Sequence, residues 1–193
     1  MKLTPLGIEG AWLAESHIWK DDRGFFREWF KAEDIERETG RNFGVEQANI
    51  SVSSAGTIRG LHYSMVTGGQ AKWITCVAGS IQDVIVDIRP ESKTYSQWVE
   101  VKLDGDSGEA VFISEGLGHG FLALKENTVV AYLVSTPFSP THEYEINPLD
   151  EEIGIQWRKN SSEMKISEKD RNAPSLHHQF LNRNLPTLTN KSH

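Results

Sequence analysis

An all-β chain, folded as an antiparallel sandwich or barrel, is what this 193-residue sequence predicts. Three features carry that expectation. Apolar runs are short and partly alternating, turn residues recur every eight to twelve positions, and no alternating helices separate the runs as a parallel sheet requires. The one clear helical stretch comes first: Lys31–Thr39 is rich in helix formers and stops at Gly40, a residue suited to ending a helix. Then the period changes. Val45–Ser53 reads as a strand, Lys72–Ala78 is closed by Gly79 and Ser80, and Ile81–Ile88 is closed by Arg89 and Pro90. Gln97–Leu103 alternates strictly and meets a turn at Asp104–Gly108. Ala110–Ile113, Phe121–Leu124 and Thr128–Ser135 follow, the last two separated by residues 125–127.

From about Pro137 the pattern weakens, broken by Pro140, Pro148, Pro174 and Pro186. Short helices packed on the barrel are expected there, and Leu185–His193 reads as a loosely ordered tail. Glycine and proline are spread along the chain, so no linker divides it. The expected organisation is one domain over 1–193: an N-terminal arm and helix over 1–45, a barrel core over 45–137, and a C-terminal segment over 137–193.

Charge narrows the function. Twenty Lys and Arg against 27 Asp and Glu leave a net charge of -7, which argues against nucleic acid and anionic membrane as partners but allows a small anion in a local basic pocket. No apolar run approaches the ~20 residues of a spanning helix, and residues 1–12 do not resemble a secretion signal. Cys76 is the single cysteine, so there is no internal disulfide and no paired-cysteine zinc or redox site. A cytoplasmic enzyme or binding protein is expected.

Three clusters hold candidate chemistry. Arg59 and His62 follow the turn signal at residues 53–56, and Lys72 opens the next apolar strand. On spacing alone, a strand-end Lys and a structural His would fit as well as a site. Glu115-Gly-Leu-Gly-His-Gly-Phe121 puts three glycines around His119, which marks a tight turn or a close approach of backbone. Tyr132 stands in the apolar strand Val129–Val134, where most tyrosines serve packing. A metal centre does not fit. His62 is followed by Tyr63 and Ser64 rather than a second ligand, and Lys72 would repel a cation. Nucleophile-elbow, phosphate-loop and dinucleotide fingerprints are missing too. A His base, a cation and a Tyr acid suit proton abstraction beside a carbonyl, with the cation stabilising the enolate.

Taken together, Asp22–Glu28 (DRGFFRE), Gln47–Ser51 (QANIS), Ile58–His62 (IRGLH), Gln70–Lys72 (QAK), Asp83–Arg89 (DVIVDIR), Gly118–Phe121 (GHGF) and Tyr132 resemble the dTDP-4-dehydrorhamnose 3,5-epimerase family, over about Gly7 to Asp170. The resemblance implies an all-β, cupin-like jelly-roll barrel with a few short peripheral helices. It further implies a homodimer with exchanged N-terminal strands, no metal or organic cofactor, and a dTDP-4-keto-6-deoxyhexose substrate. By the same resemblance His62 is the general base, Asp170 its carboxylate partner, Lys72 the cation at the enolate oxygen, and Tyr132 the acid on the opposite sugar face. Arg59 and His119 resemble contacts to the diphosphate and sugar; Arg23, Glu28, Gln47, Asn49, Glu143 and Lys169 resemble nucleotide-binding positions. Two departures stand out. Pro137-Phe138 replaces the family's tyrosine pair, keeping an aromatic face but losing a hydroxyl, and Gly68–Cys76 is similar to the branch that supplies unusual deoxysugars and includes enzymes inverting one carbon only. A 3,4-ketoisomerase on the same nucleotide sugar and a non-catalytic sugar-nucleotide-binding cupin are the alternatives.

Overall fold

The structure, a computed structural model, describes residues 1–159 and 161–188. Near the N-terminus β1 (Lys2–Pro5) pairs with β2 (Ala11–Glu15), β3 (Ile18–Asp21) and β4 (Gly24–Arg27) form a hairpin, and α1 (Ala32–Thr39) follows. The central strands are β5 (Gln47–Ser53), β6 (Thr57–Ser64), β7 (Lys72–Ala78), β8 (Ser80–Asp87), β9 (Trp98–Asp104), β10 (Glu109–Ile113), β11 (Leu117–Ala123) and β12 (Thr128–Val134). Beyond them come β13 (Glu143–Glu145), β14 (Lys165–Ile166), α2 (Glu168–Arg171) and α3 (Leu176–Leu181).

These strands make two sheets. The first runs β1-β2-β10-β7-β12-β5; the second runs β13-β6-β11-β8-β9, with β14 parallel to β6. Among the described residues they do not close into a single barrel but stack as a cupin-like sandwich. Ile74, Cys76, Val111, Ile113 and Val130 from the first sheet meet Ile81, Ile85, Leu103, Leu117 and Phe121 from the second. Each such side chain, fully buried, contributes about 1.5–3 kcal/mol.

Both sheets are also covered on the outside. Ile35 of α1 and Phe43 pack with Trp73, Phe112 and Leu133 behind the first sheet. Ile146, Ile153, Leu176 and Leu185 pack on Leu61, Tyr63, Val84, Val86 and Ile88 behind the second. Strand β8 is therefore buried at every position, as expected for a strand covered on both faces. No helix among the described residues is long and apolar enough to cross a membrane.

Several elements sit where the period placed them: β7 spans the expected residues, and α1 ends on Gly40 at φ 67°, whose N–H bonds Glu36 O at 2.8 Å. Others differ. The glycine-rich stretch before Phe121 turns at Glu115–Gly116 and from Leu117 onward is strand β11. Much of the expected arm is sheet, since β2 pairs along β10, leaving only the β3–β4 hairpin paired with itself. Leu185, expected in a loose tail, is buried, and the Tyr63 hydroxyl donates to Asn184 O at 2.9 Å. An apolar side chain and one backbone acceptor are enough to hold that segment down; residues 189–193 of the expected tail lie outside the described residues.

Candidate active site

One irregularity builds the site. Along β6 and β11, His62 opposes His119 while Arg59 opposes Phe121, so β6 carries one extra residue there. Three positions apart on a regular strand, Arg59 and His62 would face opposite sides. The bulge restores them to the same side, and both line one cavity between the sheets. Glycine is required at its centre: Gly60 has φ 125°, and a Cβ there would lie 2.5 Å from Gly120 Cα. The glycines flanking His119 thus mark a close approach of two backbones.

The cavity measures about 370 Å³. Arg59, His62 and His119 reach it from the second sheet, Lys72 and Tyr132 from the first, and Asp170 from α2. His62 Nε2 lies 2.7 Å from Asp170 Oδ1, and His119 Nε2 lies 2.8 Å from Asp83 Oδ2. Ser167 caps α2 by accepting from Asp170 N at 3.0 Å, which fixes the carboxylate's position. Burial alone would raise the Asp170 carboxyl. The hydrogen bond and charge of His62, with Ser167 and the Gly60 backbone behind them, hold it below the ordinary carboxylate value instead.

Lys72 points inward because Trp73, next along β7, points the other way into the outer core. Its amine is buried and donates to His62 O at 3.3 Å. Burial pulls the ammonium below its usual range, against the opposing pull of Glu143 and Asp83. Tyr132 keeps its phenol proton firmly: burial raises the hydroxyl, Arg59 opposes that and Glu143 adds to it. His62 and Tyr132 therefore belong to facing sheets and look into the same space.

A second cavity of about 350 Å³ shares His62, Lys72, Tyr132 and Lys169 with the first. Gln47, Asn49, Phe138 and Glu143 also line it. Gln47 bridges its parts, donating from Nε2 to Asn49 Oδ1 at 2.7 Å and accepting the Phe138 N–H at 2.9 Å. Phe138 is exposed, and Lys169 pairs with Glu145 at 3.3 Å. Arg23 and Glu28 do not join either cavity. Arg23 turns the β3–β4 hairpin and pairs with Asp21 at 2.5 Å, and Glu28 follows the hairpin, exposed.

Asp83 is the site residue that sequence reasoning passed over. It opens the Asp83–Arg89 stretch, and its signal is a carboxylate in the middle of an apolar strand, which needs a partner when buried. Among the described residues no three His, Cys, Asp or Glu side chains gather as a metal ligand set.

Comparison with known proteins identifies the family. The family profile described as dTDP-4-dehydrorhamnose 3,5-epimerase matches residues 5–178. A dTDP-4-dehydro-6-deoxyglucose 3-epimerase of Streptomyces bikiniensis is 42% identical over 174 residues, 90% of this chain and 88% of that protein. An epimerase from Mycobacterium tuberculosis superposes with a TM-score of 0.94 at 39% identity, covering 97% of this chain and 94% of that one. A 3'-monoepimerase from Streptomyces bikiniensis, solved in complex with dTDP-quinovose, superposes at 0.89 with 40% identity over 95% of this chain and 92% of that one. Since the match runs through every element that lines the two cavities, the chain belongs to the dTDP-4-dehydrorhamnose 3,5-epimerase family and is an isomerase.

Proposed function

We propose that this chain removes a proton from carbon 3, carbon 5 or both of a dTDP-4-keto-6-deoxyhexose and returns it on the opposite face of the ring. The observation that carries this is the placement of His62, backed by Asp170, on one sheet and Tyr132 on the sheet facing it, around a cavity that also holds Lys72. Inversion needs that opposition, because a proton leaving one face must come back on the other. His62 takes the proton, and Asp170 orients the imidazole and stabilises its charged form. Lys72 holds the enolate oxygen, where a buried cation acts more strongly than it would in water. Tyr132 delivers the returning proton. None of these steps calls on a metal ion or an organic cofactor.

Arg59 and His119 contact the diphosphate and sugar, Arg59 through a fork that donates two parallel hydrogen bonds. Gln47, Asn49, Glu143 and Lys169 hold the nucleotide in the adjoining cavity, and the exposed Phe138 ring at its edge stacks on thymine. Arg23 and Glu28 complete the nucleotide site from the partner in a homodimer with exchanged N-terminal strands. Support comes from the β3–β4 hairpin, which pairs only with itself and exposes Trp19, Phe25 and Phe26. The reaction belongs in the cytoplasm, where a lone thiol such as Cys76 stays reduced.

The decisive experiment is incubation with the keto sugar in deuterated water, then reduction and stereochemical analysis. Deuterium at an inverted carbon is expected, and none with His62→Asn. A product with its ketone moved to carbon 3 would make the chain a ketoisomerase, and dTDP binding without wash-in would make it a binding module.

A further inference from the structure

Asp83 is a buried carboxylate that the proton transfers above leave unused. It lies on β8 between Ile81 and Ile85, both packed in the inter-sheet core, and is 0% exposed. On β11, His119 opposes Ile85 and Phe121 opposes Asp83, so Asp83 and His119 are diagonal neighbours on one face of the sheet. His119 lines the main cavity, and Asp83 sits behind it.

A single hydrogen bond joins the two, His119 Nε2 to Asp83 Oδ2 at 2.8 Å, while Asp83 Oδ1 has no partner among the described residues. A buried carboxylate without a donor is costly, and a carboxylate only accepts. The hydrogen in this contact therefore belongs to the imidazole. Were it on Nδ1 instead, Asp83 would face a lone pair and keep no donor at all. Lys72 favours the same arrangement, since its buried ammonium and the Asp83 charge attract one another across the core.

With Nε2 occupied, Nδ1 is the ring nitrogen left for the cavity, and it bonds no described residue. On a neutral imidazole that nitrogen accepts. It can take a hydrogen from a sugar hydroxyl and has nothing to donate to an oxygen of the diphosphate. His119 also stands level with the reacting groups: it opposes His62, whose carbonyl accepts from the Lys72 amine at 3.3 Å. We propose that Asp83 fixes the hydrogen of His119 on Nε2 and so makes His119 Nδ1 the acceptor for a hydroxyl of the bound sugar, an assignment that rests on the epimerase function above. Asp83 acts through His119 and is a positioning residue.

The test is proton–nitrogen correlation NMR of the histidine rings at mildly alkaline pH, where free imidazole is neutral, with His119 assigned by its loss in His119→Gln. The unaltered protein is expected to carry a hydrogen on Nε2 and none on Nδ1. Adding dTDP-6-deoxyglucose, which does not turn over, should shift Nδ1 as it accepts a hydroxyl, and adding dTDP should leave it in place. A hydrogen on Nδ1 in the free protein, an Nδ1 unmoved by the sugar ligand, or protonation of Nδ1 by dTDP would each overturn the assignment. Asp83→Asn gives a second reading by calorimetry. An amide can accept from Nε2 or donate to it, so the ring loses its preference. Affinity for dTDP-6-deoxyglucose should then fall about tenfold, with that for dTDP unchanged. A purely structural Asp83 would weaken both ligands alike, which also overturns the assignment. Should that variant fail to fold, the spectrum of the unaltered protein still decides. Deuterium wash-in reports on the reaction itself, so failure of the epimerase reading would show there and not in the ring hydrogen.

Discussion

His62 Nε2 meets Asp170 Oδ1 at 2.7 Å, so the imidazole on the second sheet is oriented by a carboxylate that lies 108 residues away in the C-terminal segment. That contact ties the chemistry of the core to the docking of α2, whose first turn is set by Ser167.

Replacing Asp170 by Asn keeps the shape of the contact and removes its charge. The imidazolium formed on proton abstraction then loses its counter-ion, and the expected fall in deuterium wash-in is on the order of 10²-fold or more. Stability should shift with acid as well. The native Asp170 carboxyl sits below its unfolded value of 3.8, so its contribution is present above that value and fades as pH falls through the native one. Thermal melts of the Asn variant should therefore lose part of the acid-side decline; an unchanged decline would show that the pairing adds nothing to the fold.

Lys72 makes the opposite case. Burial holds its ammonium below 10.5, so the unfolded chain binds a proton more tightly than the native one between those two values. Stability then rises with pH across that window. Lys72→Met should abolish the rise and, at neutral pH, melt higher by roughly 2–4 °C, since it removes a buried charge. The same variant should lose at least about 10²-fold in turnover through loss of enolate stabilisation. A variant that melts lower would mean the amine stabilises the fold.

Gly60→Ala tests the bulge. A Cβ at this residue would sit 2.5 Å from Gly120 Cα and 2.7 Å from His119 O, both backbone atoms that cannot swing away, and the φ of 125° disfavours any side chain. The expected cost is about 3 kcal/mol or more, read by urea denaturation, with activity lost in the folded fraction because Arg59 and His62 no longer share a face.

That bulge also explains what could and could not be read in advance. Strand β7 is an apolar run closed by Gly79 and Ser80, and its ends were legible at Lys72 and Ala78. Strand β6 was not, because Gly60 and Leu61 interrupt the period between Arg59 and His62. Strands β1 to β4 are four or five residues long with mostly exposed or half-exposed positions, too little for any period to stand out. At the site, His62, Lys72 and Tyr132 stood out only as candidate residue types, since their local context fitted a structural His, a strand-end Lys and a packing Tyr as well. Their convergence, and the partnerships of His62 with Asp170 and His119 with Asp83, depend on pairing between distant strands, which local pattern does not encode.

Tyr132→Phe separates proton removal from proton return. His62 and Lys72 remain to form the enolate, so wash-in without inversion should persist while completed inversion slows by about 10²-fold or more. Time-resolved NMR in deuterated water reads both rates at once. Equal losses of exchange and inversion would mean Tyr132 is needed to form the enolate and does more than return the proton.

Exchange of the N-terminal hairpin has its own signature. If Arg23 of one copy serves the cavity of the other, Arg23→Ala and His62→Ala each damage a different half of the same composite site. Mixing the two variants under conditions that reshuffle subunits should create dimers with one doubly damaged site and one intact site. Random pairing makes half the dimers mixed, so activity should recover to about a quarter of the unaltered level. Trp19, Phe25 and Phe26 on that hairpin are exposed in the single chain, and burying them against a partner would give such an exchange its driving force. No recovery after demonstrated reshuffling would place Arg23 outside the partner's site.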